Sequence, residues 1–76
     1  MAEYFFVTKI DESNATSLLE TKSDYYEVYP DNTLVFVNEK NAKCVVTLFL
    51  RPTEWLCIFD DYGIILEDNK YWTTAS

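Results

Sequence analysis

The chain has no histidine, one glycine, two prolines and two cysteines in 76 residues, and each shortage excludes something. Histidine is the side chain that most often titrates near neutrality, so general acid–base catalysis and Ser–His or Cys–His nucleophiles lose their usual partner. A single glycine cannot build a phosphate-cradling loop. Without histidine or a Cys-x-x-Cys spacing, a tetrahedral zinc site has no ligand set. Carboxylate pairs of the glycosidase kind need a cleft that so short a chain rarely encloses. The acids at Asp60-Asp61 and Glu67-Asp68 lie at opposite ends of one expected strand, so they do not converge as a calcium loop requires. The chain is therefore read as a non-enzyme, with no cofactor and no metal.

Long apolar runs are missing too, since none approaches the roughly 20 residues that span a bilayer. The start Met-Ala-Glu-Tyr-Phe-Phe lacks the basic stretch and small-residue cleavage site of a signal peptide, so a cytoplasmic location is expected. Asn14-Ala15-Thr16 matches the glycosylation sequon, a chance match in that setting. Basic residues are scarce: six against thirteen acids, a net charge of −7 and a pI of about 4.2. The imbalance is uneven, with a net −5 over residues 1–31, +2 over 32–51 and −4 over 52–76. Such a molecule repels nucleic acid and anionic membrane and attracts basic protein surfaces.

Aromatic rings, by contrast, are abundant: five Phe, six Tyr and two Trp make up 17% of the chain. Each ring can remove roughly 150–250 Å² from water, which is how a single domain over residues 1–76 can assemble a core. There are more rings than a small interior hides, so some are expected at a partner surface or in a homodimer. Cys44 and Cys57 both lie in apolar segments and are read as reduced, buried thiols acting as small hydrophobes.

Tyr4 to Ile10 is aromatic and β-branched, a first strand ended by the turn formers Asp11-Glu12-Ser13-Asn14. Ala15, Leu18, Leu19 and Lys22 recur at i, i+3, i+4 and i+7, which predicts a short helix over 14–22 capped by Ser13 or Asn14, although Thr16, Ser17 and Thr21 weaken it and leave an irregular loop as the alternative. Tyr25, Glu27 and Tyr29 alternate with Tyr26 and Val28, a strand with one wet face. Leu34 to Val37 and Cys44 to Leu50 are apolar on both faces and read as central strands joined by a polar link over 38–43. Trp55 to Phe59 follows, and Asp60-Asp61-Tyr62-Gly63 turns into Ile64-Ile65-Leu66, with Gly63 suited to positive φ. Glu67 to Lys70 leads to a last strand, Tyr71 to Thr74. The fold class is mainly β (or α+β with one short helix): a small antiparallel sheet or meander of about six strands, curling into a sandwich or partly open barrel.

The candidate partner-binding residues are the acids Asp11, Glu12, Asp24, Glu27, Asp60, Asp61, Glu67 and Asp68, with Tyr25, Tyr62 and Trp72 beside them. Carboxylates two apart on a strand lie roughly 6.5–7 Å apart, comparable to neighbouring phosphates, so a sheet studded with them would present a phosphate-like array. In size and charge the chain is similar to small acidic proteins with which bacteriophages disable host enzymes, several of which imitate DNA. That likeness is one of type, with no shared motif. It implies an inhibitor that blocks the basic surface of a nucleoid protein, nuclease, RNA polymerase or CRISPR effector without itself binding nucleic acid. The alternative is an interaction module (immunity protein, antitoxin or assembly subunit) that binds through exposed aromatics.

Overall fold

Strand β1 (Glu3–Ile10) sets the frame of the molecule, because its alternation puts Phe5 and Val7 on a buried face. The computed structural model describes residues 2–73. β1 pairs antiparallel with β2 (Thr16–Ser23) on one side and with β6 (Trp55–Phe59) on the other, and β7 (Ile65–Asp68) extends that sheet beyond β6. A second antiparallel sheet runs β3 (Tyr25–Val28), β4 (Leu34–Lys40) and β5 (Lys43–Leu50), with β4 in the middle. Among the described residues no ladder joins the two sheets, so the barrel is not closed.

Four sequence expectations change. The helix over 14–22 is strand β2, registered residue for residue from Glu3↔Ser23 to Ile10↔Thr16. Leu19 stands opposite the buried Val7 and Leu18 opposite Thr8, so two adjacent leucines serve the two faces of a pleat. Ser13 and Asn14 belong to the β1–β2 turn, where Asp11 Oδ1 accepts hydrogen bonds from Ser13 N, Ser13 Oγ and Ala15 N at 2.9, 2.8 and 3.0 Å. The expected strand at 71–74 is instead a helical turn, α1 (Lys70–Thr73), opened by Asn69 Oδ1 accepting from Tyr71 N at 3.0 Å; Thr74 lies outside the described residues. β5, expected to be central, is an edge strand, with only β4 beside it among the described residues. Cys44, expected to be buried, is exposed on that edge; Cys57 is half-buried, and both thiols are free.

The remaining elements follow their local chemistry. β4 and β5 run closer than expected, to a two-residue turn in which Asn41 and Ala42 both adopt positive φ (53° and 64°), the geometry that matches strand twist in tight hairpins. Gly63 takes φ 81° in the β6–β7 turn, as its placement predicts. The two sheets face each other across one core, in which Phe5, Val7, Trp55 and Ile58 of the first meet Leu34, Phe36 and Leu50 of the second. Tyr26 closes the core against Phe5 (edge-on, 5.6 Å between centroids) and Phe36 (6.0 Å). The fully buried Trp55 donates its indole N–H to Asn32 O at 2.8 Å, so its one polar atom is satisfied.

Candidate protein-binding site

The antiparallel order β2-β1-β6-β7 brings the start of β1, the end of β2 and the β6–β7 turn to one end of the first sheet. Asp24 is the single residue between β2 and β3, so the chain crosses to the second sheet at that same end. The result is a cleft of ≈ 630 Å³ lined by Ala2, Glu3, Tyr4, Phe5, Asp24, Tyr25, Tyr26, Asp60, Asp61, Tyr62 and Leu66. Five of the residues singled out in the sequence meet there: Asp24, Tyr25, Asp60, Asp61 and Tyr62. Among the described residues its lining holds four carboxylates and four tyrosines and no basic side chain.

Two of those carboxylates also hold the frame. Asp60 Oδ1 accepts from Tyr62 N and Ile64 N, both at 2.9 Å, which fixes the turn. Asp24 Oδ2 accepts from Glu39 N at 2.7 Å, while its own amide donates to Asn38 Oδ1 at 2.9 Å, tying the crossover to β4. Asp61 and Glu3 are exposed. A carboxylate beside a tyrosine face suits a Lys or Arg side chain, which finds a counter-charge and a ring quadrupole together. The protein provides an internal example at the cleft's margin, with Lys22 Nζ 5.3 Å from the Tyr4 ring centroid.

Tyr25 and Tyr26 are both held in the neutral form at high pH. The hydrogen bond with Cys44 Sγ (3.6 Å) is the main influence on Tyr25, whose pKa is pushed up to about 12. Burial raises Tyr26, with the Glu67 carboxylate, 3.3 Å from its hydroxyl, adding to the effect.

The β6–β7 turn has a second neighbour, a groove of ≈ 310 Å³ on the outer face of the first sheet, lined by Phe6, Leu18, Phe59, Asp60, Asp61 and Gly63. Asp60 and Asp61 thus stand between a tyrosine cleft and an apolar groove. Tyr62, 85% exposed, caps the turn.

The other singled-out residues lie elsewhere. Asp11, Glu12 and Trp72 line a cleft of ≈ 490 Å³ at the opposite end, where Lys9 and Arg51 make the charge mixed. Trp72 anchors α1 by donating its indole N–H to Trp55 O at 2.9 Å. Glu27 is exposed on β3. Glu67 and Asp68, expected side by side in a turn, occupy β7, with Glu67 half-buried toward Tyr26 and Asp68 exposed opposite Cys57. No described strand carries two acids two positions apart, so the phosphate-like array along a strand is not formed; Glu3, Asp24, Asp60 and Asp61 gather instead at one end of the first sheet. Glu3, Tyr4 and Tyr26 join the cleft unanticipated, because only the pairing of β1 with β2 and the packing of β3 carry them there. No family model, curated protein sequence or solved structure matches the chain.

Proposed function

We propose that the protein is an acidic binding protein, a DNA-mimicking inhibitor of the phage host-takeover type, that blocks the basic nucleic-acid-binding surface of a host protein such as a nucleoid protein, nuclease, RNA polymerase or CRISPR effector. The observation supporting this is the cleft that joins Glu3, Asp24, Asp60 and Asp61 to four tyrosines, with no basic residue among the described residues of its lining. Its mechanism is competition: carboxylates take the Lys and Arg side chains that otherwise grip phosphates, and the tyrosine rings cover the cations once water is excluded. The charge clusters at one end of a sheet, so mimicry here rests on local charge density rather than on phosphate spacing.

A second reading, an immunity, antitoxin or assembly module held by aromatic contacts, draws on Tyr62 at 85% exposure and on the apolar groove beside it. Binding constants across a salt series separate the two. Asp60→Asn with Asp61→Asn keeps the acceptor that Asp60 supplies to the turn, so the double variant folds. On the mimic reading it binds a basic partner more weakly, with a shallower dependence on salt, each lost rim pair costing on the order of 0.2–1 kcal/mol. Wild-type affinity in that variant, together with loss of binding in Tyr62→Ala, selects the aromatic module.

A further inference from the structure

Phe5, Val7, Trp55 and Ile58 turn one face of the first sheet to the second, and the alternation of β1 sends Phe6 and Thr8 to the opposite, outer side. Ladder partners share a face, so Phe59 and Glu20 stand beside Phe6, and Leu18 beside Thr8, on that outer side. Phe6 and Phe59 are half-buried there and Leu18 is 67% exposed. These three side chains form the apolar part of the groove of ≈ 310 Å³, whose size is at the small end of ligand sites and suits one apolar side chain better than a whole small molecule. Asp60 and Asp61 are the wall that the groove shares with the tyrosine cleft. The same two carboxylates therefore border an apolar recess on one side and Tyr4, Tyr25 and Tyr62 on the other.

Charge selects the occupant. Asp60 and Asp61 line the groove, Glu20 is exposed beside Phe6, and no basic side chain is among the described lining residues. Lys22, the one base on β2, lies over the Tyr4 ring. A second copy docked groove to groove sets these carboxylates against their own kind, and an anionic lipid surface meets the same repulsion. An apolar side chain carried on a basic protein segment satisfies both the recess and its rim. We infer, resting on the cation-accepting cleft proposed above, that the site reads a pair. A Lys or Arg side chain enters the tyrosine cleft while an apolar neighbour in the same segment enters the groove of Phe6, Leu18 and Phe59, with the β6–β7 turn between them. Asp60 Oδ1 is taken by Tyr62 N and Ile64 N, so Asp61, exposed and outside those bonds, carries the pairing on the shared wall. Charge alone fits many nucleic-acid-binding surfaces. The recess narrows the partner to one whose phosphate-gripping bases flank an exposed Leu, Ile, Met or Phe.

Two acetylated and amidated pentapeptides serve as probes, Gly-Arg-Leu-Arg-Gly and Gly-Arg-Ala-Arg-Gly, each titrated to millimolar concentration against isotope-labelled protein and followed by NMR. The leucine peptide binds about fivefold more tightly, the gain expected from half-burying one leucine side chain, and it alone shifts the Leu18 methyl signals. Added salt weakens both peptides by the same factor, because both carry the same charge. Leu18→Ser, at an exposed position, folds, narrows the gap between the two peptides and leaves binding of the alanine peptide unchanged. Equal affinities for the two peptides overturn the inference and leave the cleft reading standing. So does a leucine advantage that Leu18→Ser does not reduce, which places the apolar contact elsewhere. No binding by either peptide overturns the cleft reading and the inference with it. Leu18 methyl signals that move when the protein alone is diluted put a second copy in the groove, and that result overturns the inference as well.

Discussion

At residue scale, the backbone at Ala42 has a measurable cost. A non-glycine residue at φ 64° brings its Cβ close to neighbouring carbonyl oxygen, and the tight β4–β5 turn demands that conformation. Ala42→Gly relieves the contact, and denaturant unfolding should show a gain of about 1 kcal/mol, the folded-state relief exceeding glycine's added chain entropy. Tyr25 and Tyr26 supply a pH signature. Their folded pKa values lie above the unfolded value of 10.0, so the stability they contribute is complete below pH 10 and is lost as pH rises through the folded values, toward about 12 for Tyr25. Ultraviolet titration of the folded protein should therefore show a tyrosinate step well above pH 10. Tyr25→Phe should remove the step near 12, and a profile unchanged by it would contradict the Cys44 contact. At the acid end, Asp11 and Asp31 are held below the ordinary value of 3.8, chiefly by hydrogen bonds from Ser13 and Thr33 respectively. Their contribution is present above that value and disappears as pH falls through the lowered ones.

At the scale of elements, Asn69 is the fastening between β7, α1 and the start of β6. Its Nδ2 donates to Pro52 O and Trp55 O, both at 2.7 Å, and its Oδ1 receives Tyr71 N. It is almost wholly buried, so Asn69→Ala takes the donor from Pro52 O and leaves Trp55 O with Trp72 Nε1, and should destabilise the fold by about 1–3 kcal/mol in urea unfolding. Nothing in the sequence marks that role, since Glu67-Asp68-Asn69-Lys70 reads as an ordinary polar turn. Strands β1, β3, β4 and β6 were legible, because β-branched and aromatic runs bounded by Asp, Asn and Pro carry their own punctuation. β2 was not, because Leu18 and Leu19 satisfy helical spacing as well as they satisfy opposite faces of a strand; the ladder with β1 decides between them. The edge position of β5 was hidden for a similar reason, since apolar side chains on both faces describe a buried centre and an exposed edge alike. In the candidate site, the acids and tyrosines of the β6–β7 turn and of the 24–25 crossover were visible as residue types. Their convergence on Glu3 and Tyr4 depends on pairings that no local pattern encodes.

Across the whole molecule, charge makes the broadest prediction. With −7 overall and no basic patch beyond Lys40, Lys43 and Arg51, the protein should give no gel shift with DNA or RNA at physiological salt. A micromolar shift there would remove the mimic reading. The sheet topology also fixes an order in time. The β1–β2 and β4–β5 hairpins close over short turns, whereas β1 finds β6 only across some fifty residues, as in Val7↔Ile58. Loop closure of that length must come before the contacts that reward it, which places folding in the roughly millisecond-to-second range of β-rich domains rather than the microseconds of an isolated hairpin. Both tryptophans lie on the late side of that closure, Trp55 opening β6 and Trp72 docked on its carbonyl. Their fluorescence is thus a clock for the moment the first sheet is completed. The acidic cleft is built from the start of β1 and the end of β6, so it comes into existence only at that moment, and a nascent chain has no binding surface to offer until β6 and the turn after it have been made.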